Sequence, residues 1–156
     1  MTETKMIRMM GLDFGSKTVG VAISDALGLM AHPRETIVRK EANKLRRTLA
    51  RIEELVQENQ IETIVLGLPL HMSGEEGERA LLTYEFRDKL IQRIGVPVVM
   101  WDERLTTVEA MERLDEQQVR RSEQKLYVDQ IAAAFILQGY MDHIKAKANS
   151  QGSSTG

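Results

Sequence analysis

The beginning of the chain alternates short apolar runs with turn residues, a pattern typical of strands joined by hairpins. Three runs predict strands at residues 6–14, 18–24 and about 34–38. Gly15 and the segment 25–28 supply turn residues between these runs. The simplest arrangement of the three strands is therefore a hairpin-linked meander.

Farther along the chain, the apolar residues recur at the spacing of helices. Helices are predicted near 45–56, 76–94 and 126–145, with a shorter one starting near Thr106. Two continuous apolar runs, "TIVLGLP" and "VPVVMWDE", lie between helices and suit buried parallel strands. The buried face of the last helix is predicted to consist of Val128, Ile131, Ala132 and Phe135. This order of elements predicts an α/β domain with a mixed five-stranded sheet flanked by helices.

Length and composition limit the class of protein. The chain has 156 residues, enough for one domain with a core, and we expect that domain to cover residues 1–147. Residues 148–156, which end in "NSQGSSTG", have the composition of a disordered tail. The absence of cysteine excludes disulfides, thiolate nucleophiles and zinc–thiolate sites.

Charge and hydropathy give no sign of a membrane partner. No apolar run approaches spanning length, and the start "MTETKMIRMM" lacks the long apolar stretch of a signal peptide, so we expect a cytoplasmic protein. The formal net charge is -2, which means that any site for a polyanion must be local. Aromatic residues make up 4% of the chain, so recognition of nucleic acid is expected to rest on backbone and shape rather than on base stacking.

Acidic residues follow two of the predicted strands at the point where each ends. Asp13 lies between Gly11 and Gly15, and the pair Asp102–Glu103 ends the fifth strand. A third acid, Asp129, lies near the start of the last helix. Functional groups gather at the carboxyl ends of parallel strands, so these acids are candidates for one shared site.

Carboxylates from separate elements would repel one another unless a cation lay between them. Mg²⁺ and Mn²⁺ are hard ions that prefer oxygen ligands, and such a site suits phosphoryl chemistry. Each acid alone also has a structural explanation, because a strand-end Asp can cap a turn and Asp129 is favoured by the helix dipole. The flanking glycines weaken that explanation for Asp13, since they let a ligand approach the backbone.

The segment "LDFGSKTVG" also fits other functions. Acid–glycine loops open the phosphate site of actin-like ATPases, and Lys17 with the Gly15 and Ser16 amides could cradle a phosphate. Those ATPases close two lobes around the nucleotide, whereas this chain has length for one. A non-catalytic nucleic-acid-binding module, with purely structural acids, is a further alternative.

Four segments, in this order and spacing, make the chain resemble the YqgF/RuvX family from about Met6 to Tyr140. They are "GLDFGSKTVGVAISD", "IVLGLPLHMSGEEGERA", "VVMWDERLTT" and "YVDQIAAAFIL". The resemblance implies a ribonuclease H-like fold and a metal-dependent nuclease linked to maturation of 16S ribosomal RNA or, alternatively, to the resolution of Holliday junctions. The implied partner is nucleic acid, either an rRNA precursor or branched DNA. Ribosomal particles and a second copy of the chain are further candidate partners.

The resemblance also implies which residues form the site. Carried over position by position, the family's acids fall on Asp13, Glu103 and Asp129, which would hold Mg²⁺ or Mn²⁺ and catalyse hydrolysis. Alternation along the strand points Asp102 and Glu103 to opposite faces, and we expect Glu103 to be the ligand and Asp102 to be structural.

Polar residues near these acids suggest substrate contacts and helix starts. The residues expected to bind substrate are Lys17, Arg104, Arg120 and Arg121. Arg104 has a second explanation, an ion pair with Asp102. Two capping boxes are predicted at the starts of helices, one formed by Ser73 with Glu76 and one by Thr106 with Glu109.

Overall fold

The computed structural model describes residues 7–105 and 125–154, which form one five-stranded sheet and the helices packed on it. The strands are β1 (Met9–Phe14), β2 (Thr18–Ser24), β3 (Ala31–Val38), β4 (Thr63–Leu68) and β5 (Val98–Asp102). The helices are α1 (Arg46–Glu58), α2 (Glu78–Ile94) and α3 (Lys125–Ser154), and a 3-10 turn (Glu103–Leu105) follows β5.

The strands lie in the order β3-β2-β1-β4-β5. β1, β2 and β3 pair antiparallel, as a meander does, whereas β4 joins β1 in parallel and β5 joins β4 in parallel. The predicted mixed five-stranded sheet is therefore confirmed. The parallel order brings the carboxyl ends of β1, β4 and β5 to the same edge of the sheet.

Alternation along β1 divides the core between the two faces of the sheet. Met10 and Leu12 are fully buried on the face covered by α1 and α2. Met9 belongs to the second core, which α3 builds on the opposite face with its Ala133, Ala134 and Leu137. Since side chains alternate, Asp13 lies on the α3 face and the next residue, Phe14, on the α1–α2 face.

Two strand glycines let α3 approach the sheet closely. A Cβ at Gly11 would lie 2.7 Å from the carbonyl oxygen of Ala133 and 2.7 Å from the Cβ of Leu137. A Cβ at Gly20 would overlap the backbone carbonyl of Asp129. Neither position can carry a side chain unless the helix moves, so both glycines are required by packing.

The buried face of α3 differs from the predicted one. Val128 is 53% exposed, so its assignment to the buried face is wrong, and Ile131, Ala132 and Phe135 are only partly buried. The helix instead turns a row of mostly small or flexible residues to the sheet: Ala133, Ala134, Leu137, Gln138 and Met141. The close contact with the strand glycines selects small residues for this face, which hydropathy alone does not reveal.

The start of α2 also differs from its prediction. Its N-cap is Gly77, which makes no side-chain cap, and the helix begins at Glu78. Ser73 accepts a hydrogen bond from the backbone N–H of Glu75 at 3.4 Å within the preceding loop, so the predicted capping box at Ser73 is wrong. The box at Thr106 and the short helix predicted there lie outside the described residues.

The end of α3 lies beyond its predicted position. The helix continues to Ser154, through most of the segment expected to be a disordered tail. The alternating lysines and alanines at 145–148 are strong helix formers, which favours the continuation. The domain boundary at residue 147 stays a prediction. None of the described helices is long and apolar enough to cross a membrane.

Replacing Gly20 by Ala should destabilise the fold more than replacing Gly67, the matched control. The new methyl group at Gly20 meets backbone, which cannot rotate away, whereas at Gly67 it meets the tip of the Ile136 side chain, 2.5 Å away. Urea unfolding should show losses of about 3 kcal/mol or more for Gly20→Ala and about 1 kcal/mol for Gly67→Ala. Equal losses would contradict the close approach of the α3 backbone.

Candidate active site

Three acidic residues from three elements lie at one edge of the sheet, on the α3 face. Asp13 is near the end of β1, Glu103 opens the turn after β5, and Asp129 is in the second turn of α3. The backbone of Asp129 packs over Gly20, which is the pairing partner of Asp13 in β2. The sequence-predicted acids are therefore brought together by strand order and by the docking of α3.

The Glu103 side chain lies over β4, the strand whose carboxyl end carries no acid. A Cβ at Gly67 of β4 would lie 3.1 Å from the Cγ and 3.2 Å from the Cδ of Glu103, so the Glu103 side chain extends over that glycine. Gly67 follows Leu66, the partner of Leu12 in β1, and so lies level with Asp13. The missing side chain at Gly67 gives Glu103 room to reach toward Asp13.

The acids are electrostatically coupled. Burial, followed by the negative charge of Asp129, raises the pKa of Asp13 to about 6, against the opposing charge of Arg79. Burial, followed by the charge of Asp13, raises the pKa of Glu103 to about 7, and Arg79 again opposes the shift. Asp13 thus interacts with an acid on each side and lies at the centre of the group.

Asp102 is held by a different partner. Its carboxylate accepts hydrogen bonds from the backbone N–H of Arg104 at 2.9 Å and from the Arg104 guanidinium at 2.7 Å and 3.1 Å. These bonds lower the pKa of Asp102. Glu103 extends over Gly67 while Asp102 is engaged by Arg104, and the role of Glu103 as a ligand stays a prediction.

The structure locates two of the four predicted substrate-binding residues. Lys17 is exposed in the turn between β1 and β2. Arg104 makes the ion pair with Asp102, and its Nη1 also donates to the carbonyl oxygen of Met72 at 3.1 Å. Arg120 and Arg121 lie outside the described residues. A substrate contact by any of the four stays a prediction.

Two arginines at the site were not singled out from the sequence. Arg79 donates to the carbonyl oxygen of Phe14 at 2.8 Å, and its charge opposes the raised pKa values of Asp13 and Glu103. Arg39 is 6% exposed and donates to the carbonyl oxygens of Gly15 and Ser16, so it holds the β1–β2 turn. These contacts join residues far apart in sequence, and no local pattern encodes them.

The chemistry of the three acids fits a hard divalent cation. Carboxylate oxygens are the ligands that Mg²⁺ and Mn²⁺ prefer, and a cation would relieve the repulsion that contributes to the raised pKa of Asp13. Within residues 7–105 and 125–154, no three Asp, Glu or His side chains are grouped tightly enough to hold one ion together.

Replacing Asp13 by Asn should raise the free energy of unfolding at about pH 7.5 and leave it nearly unchanged at about pH 4. The folded protein holds the Asp13 and Glu103 carboxyls with pKa values of about 6 and about 7, above the values of about 4 in unfolded chains. The folded state therefore binds more protons than the unfolded state in this window, and stability falls as the pH rises through it. Urea unfolding in chelator should show a gain of about 1–3 kcal/mol at the higher pH.

Asp102→Asn is the matched control, because Arg104 lowers the pKa of this acid. Its neutralisation should decrease the free energy of unfolding at about pH 7.5, an effect of opposite sign. An effect of Asp13→Asn that is the same at both pH values would contradict the coupling among the acids.

Comparison with known proteins gives consistent matches over most of the chain. Residues 7–143 match the family model "RuvX: Holliday junction resolvase". A protein of Lachnospira eligens named "Putative pre-16S rRNA nuclease" is 56% identical over 136 residues, which are 87% of this chain and 97% of the relative. A Myxococcus xanthus protein of the same name is 47% identical over 87% of this chain and 88% of its own length.

Similarity to solved structures concerns the fold alone. RuvC of T. thermophilus in complex with a Holliday junction substrate has a TM-score of 0.60 at 15% identity, covering 88% of this chain and 96% of that chain. A second structure of Thermus thermophilus RuvC has a TM-score of 0.57 at 14% identity. These matches confirm the predicted ribonuclease H-like fold.

Proposed function

The chain belongs to the RuvX family, and from this membership we propose that it is a metal-dependent nuclease that hydrolyses phosphodiester bonds in structured nucleic acid. Its curated relatives, 44–56% identical, carry the name of a pre-16S rRNA nuclease. The most specific substrate that we propose is therefore the precursor of 16S rRNA. Ribosomal particles would then be its partners and the cytoplasm its location.

The observation that carries the proposal is the coupling of Asp13 to an acid on each side. A partly buried carboxyl with a raised pKa between two other acids is costly for a purely structural role. The same group is useful where a divalent cation must be held at the edge of a sheet open to a long substrate. We propose Asp13, Glu103 and Asp129 as the ligands and catalytic residues.

The remaining residues of the site would act on the substrate backbone. The chemistry supplied by one or two bound Mg²⁺ or Mn²⁺ ions is Lewis-acid stabilisation of an in-line displacement at phosphorus. Lys17, exposed in the β1–β2 turn, is proposed to bind a phosphate of the substrate, as are Arg120 and Arg121. Arg104 keeps Asp102 engaged, so any substrate contact that it makes would use the parts of its guanidinium left free by that ion pair.

Resolution of Holliday junctions in branched DNA is the second candidate function. The description of the matching family model favours it. The same acids would perform the same hydrolysis on either nucleic acid. The two candidate functions therefore differ in the protein surface that binds the substrate and in the strand that is cleaved. A dimer would suit the two-fold symmetry of a four-way junction better than it suits a single RNA strand.

Incubation with both substrates is the direct test. Purified protein with Mg²⁺ or Mn²⁺ should cleave a pre-16S rRNA fragment to products with a 5′-phosphate, and the Asp13→Asn protein should not, because it lacks the central ligand. Preferential cleavage of a four-way DNA junction would select the second candidate. Binding of either substrate without cleavage, equal in both proteins, would leave a non-catalytic binding module and contradict the proposal.

The adjacent acids Asp102 and Glu103 provide a sharper test of the site. Glu103→Gln should reduce the single-turnover rate by several orders of magnitude, because it removes a ligand of the metal. Asp102→Asn should retain most of the activity and lose stability, since its carboxylate is bound by Arg104. A fully active Glu103→Gln beside a folded but inactive Asp102→Asn would reverse the two roles.

A further inference from the structure

A cavity lies on the face of the sheet opposite the acids. It has a volume of about 290 Å³ and is bounded by α2, by the segment that leads into α1 and by the end of β1. Phe14, the residue after Asp13, lines it, so consecutive residues of one strand contribute to the acid site and to this cavity. Nothing in the proposed chemistry of the acids uses the cavity.

Two guanidinium groups line the cavity, and neither has a carboxylate partner among the residues that the structure describes. Arg39 and Arg79 stand over the Phe14 ring, with their Cζ atoms 5.0 and 5.6 Å from its centroid. Their hydrogen bonds go to backbone carbonyls, and among the ion pairs of residues 7–105 and 125–154 neither has an acid within 4 Å. Burial, and then the charge of Arg79, lowers the pKa of Arg39. An anion beside the two groups would offset their repulsion.

Arg39 also carries a donor that the described protein leaves without an acceptor. The residue is only 6% exposed, and its Nη1 is buried with no hydrogen-bond partner in the described part of the chain. A buried donor without an acceptor is costly, and native structures pair such groups with protein, water or ligand. Because this atom is closed to solvent, the cavity receives the positive charge of Arg39 rather than a free donor.

The rest of the lining combines positive charge with an apolar wall. Lys89 adds a third cation, against one acid, Glu85. The rings of Phe14 and Phe86 are stacked at 4.1 Å, and the side chain of Leu82, 37% exposed, stands beside them. The volume lies just below the range for small-molecule sites, about 300–1,000 Å³, so the cavity has room for a single compact ligand at most.

We propose that this cavity binds one nucleotide, with its phosphate held by Arg79 and Lys89 in the positive field of Arg39 and its base against Leu82 and Phe14. The nucleotide has two sources with the same chemistry: a free mononucleotide, or a residue of a nucleic-acid strand that passes over the sheet edge. Arg79 connects the two faces, since it donates to Phe14 and its charge acts on Asp13. The second source rests on the proposed function.

Calorimetric titration of adenosine 5′-monophosphate tests the site. The Asp13→Asn protein in chelator should be used, so that neither cleavage nor a metal at the acids contributes. The nucleotide should bind at least about tenfold more tightly than adenosine, because adenosine lacks the phosphate that Arg79 and Lys89 bind. Inorganic phosphate should bind more weakly than the nucleotide, because it leaves the apolar wall uncovered.

Leu82→Glu in the same protein should weaken nucleotide binding about tenfold, by placing a negative charge on the wall. Leu81→Glu is the matched control: Leu81 is 56% exposed, adjacent and outside the lining. Arg79→Gln should weaken the nucleotide without changing the affinity for adenosine. Thermal melts should show that both glutamate variants remain folded, because the two leucines are surface residues.

Fluorescence anisotropy with a single-stranded oligonucleotide distinguishes the two sources. If the substrate strand supplies the nucleotide, Leu82→Glu weakens oligonucleotide binding and free mononucleotide competes with the oligonucleotide. If the ligand is a free mononucleotide, Leu82→Glu weakens the binding of the mononucleotide and leaves the binding of the oligonucleotide unchanged. Equal effects of Leu82→Glu and Leu81→Glu on both ligands would overturn the proposal. None of these measurements involves cleavage, so failure of the nucleotide-binding proposal would leave the nuclease test unaffected. Failure of the nuclease test would in turn leave the binding of free mononucleotide in the cavity unaffected.

Discussion

The close packing of α3 on the glycine positions of β1 and β2 is the contact on which the candidate site depends. Asp129 is separated from Asp13 by more than a hundred residues of chain, and it reaches the sheet edge because Gly20 presents no side chain to the helix backbone. Gly11 performs the same role one turn or more along the helix. The α3 backbone touches the strand glycines directly, so the helix cannot move away from the strands without losing this packing. The position of Asp129 is therefore set by the core and not by the acids themselves.

The end of β1 serves both faces of the sheet. Asp13 and Phe14 point to opposite faces because strand side chains alternate. Arg79 donates a hydrogen bond to the carbonyl oxygen of Phe14 and so contacts the strand backbone between the two faces. Arg39 fixes the turn that follows, through the carbonyls of Gly15 and Ser16. The turn that carries the exposed Lys17 is thereby held by a buried guanidinium.

The sequence predicts the strands well, because the apolar runs of this sheet are short, regular and bounded by turn residues. It also identifies Asp13 and the Asp102–Glu103 pair, since an acid at the end of a buried strand is conspicuous. Hydropathy places Val128 on the buried face of α3, which is wrong, because the helix backbone approaches Gly11 through Ala133 and Leu137 and this leaves Val128 exposed. Arg39 and Arg79 were missed because their partners are backbone carbonyls, which every residue possesses and no side-chain pattern marks.

The ion pair between Asp102 and Arg104 has a mechanical consequence for the residue between them. Asp102 ends β5, Arg104 returns to its carboxylate, and Nη1 of the same arginine holds the carbonyl of Met72 in the loop after β4. The backbone is therefore held on both sides of Glu103, by the end of β5 before it and by the contacts of Arg104 after it. A movement of the chain after Leu105 would therefore leave the backbone of Glu103 in position at the edge of the sheet.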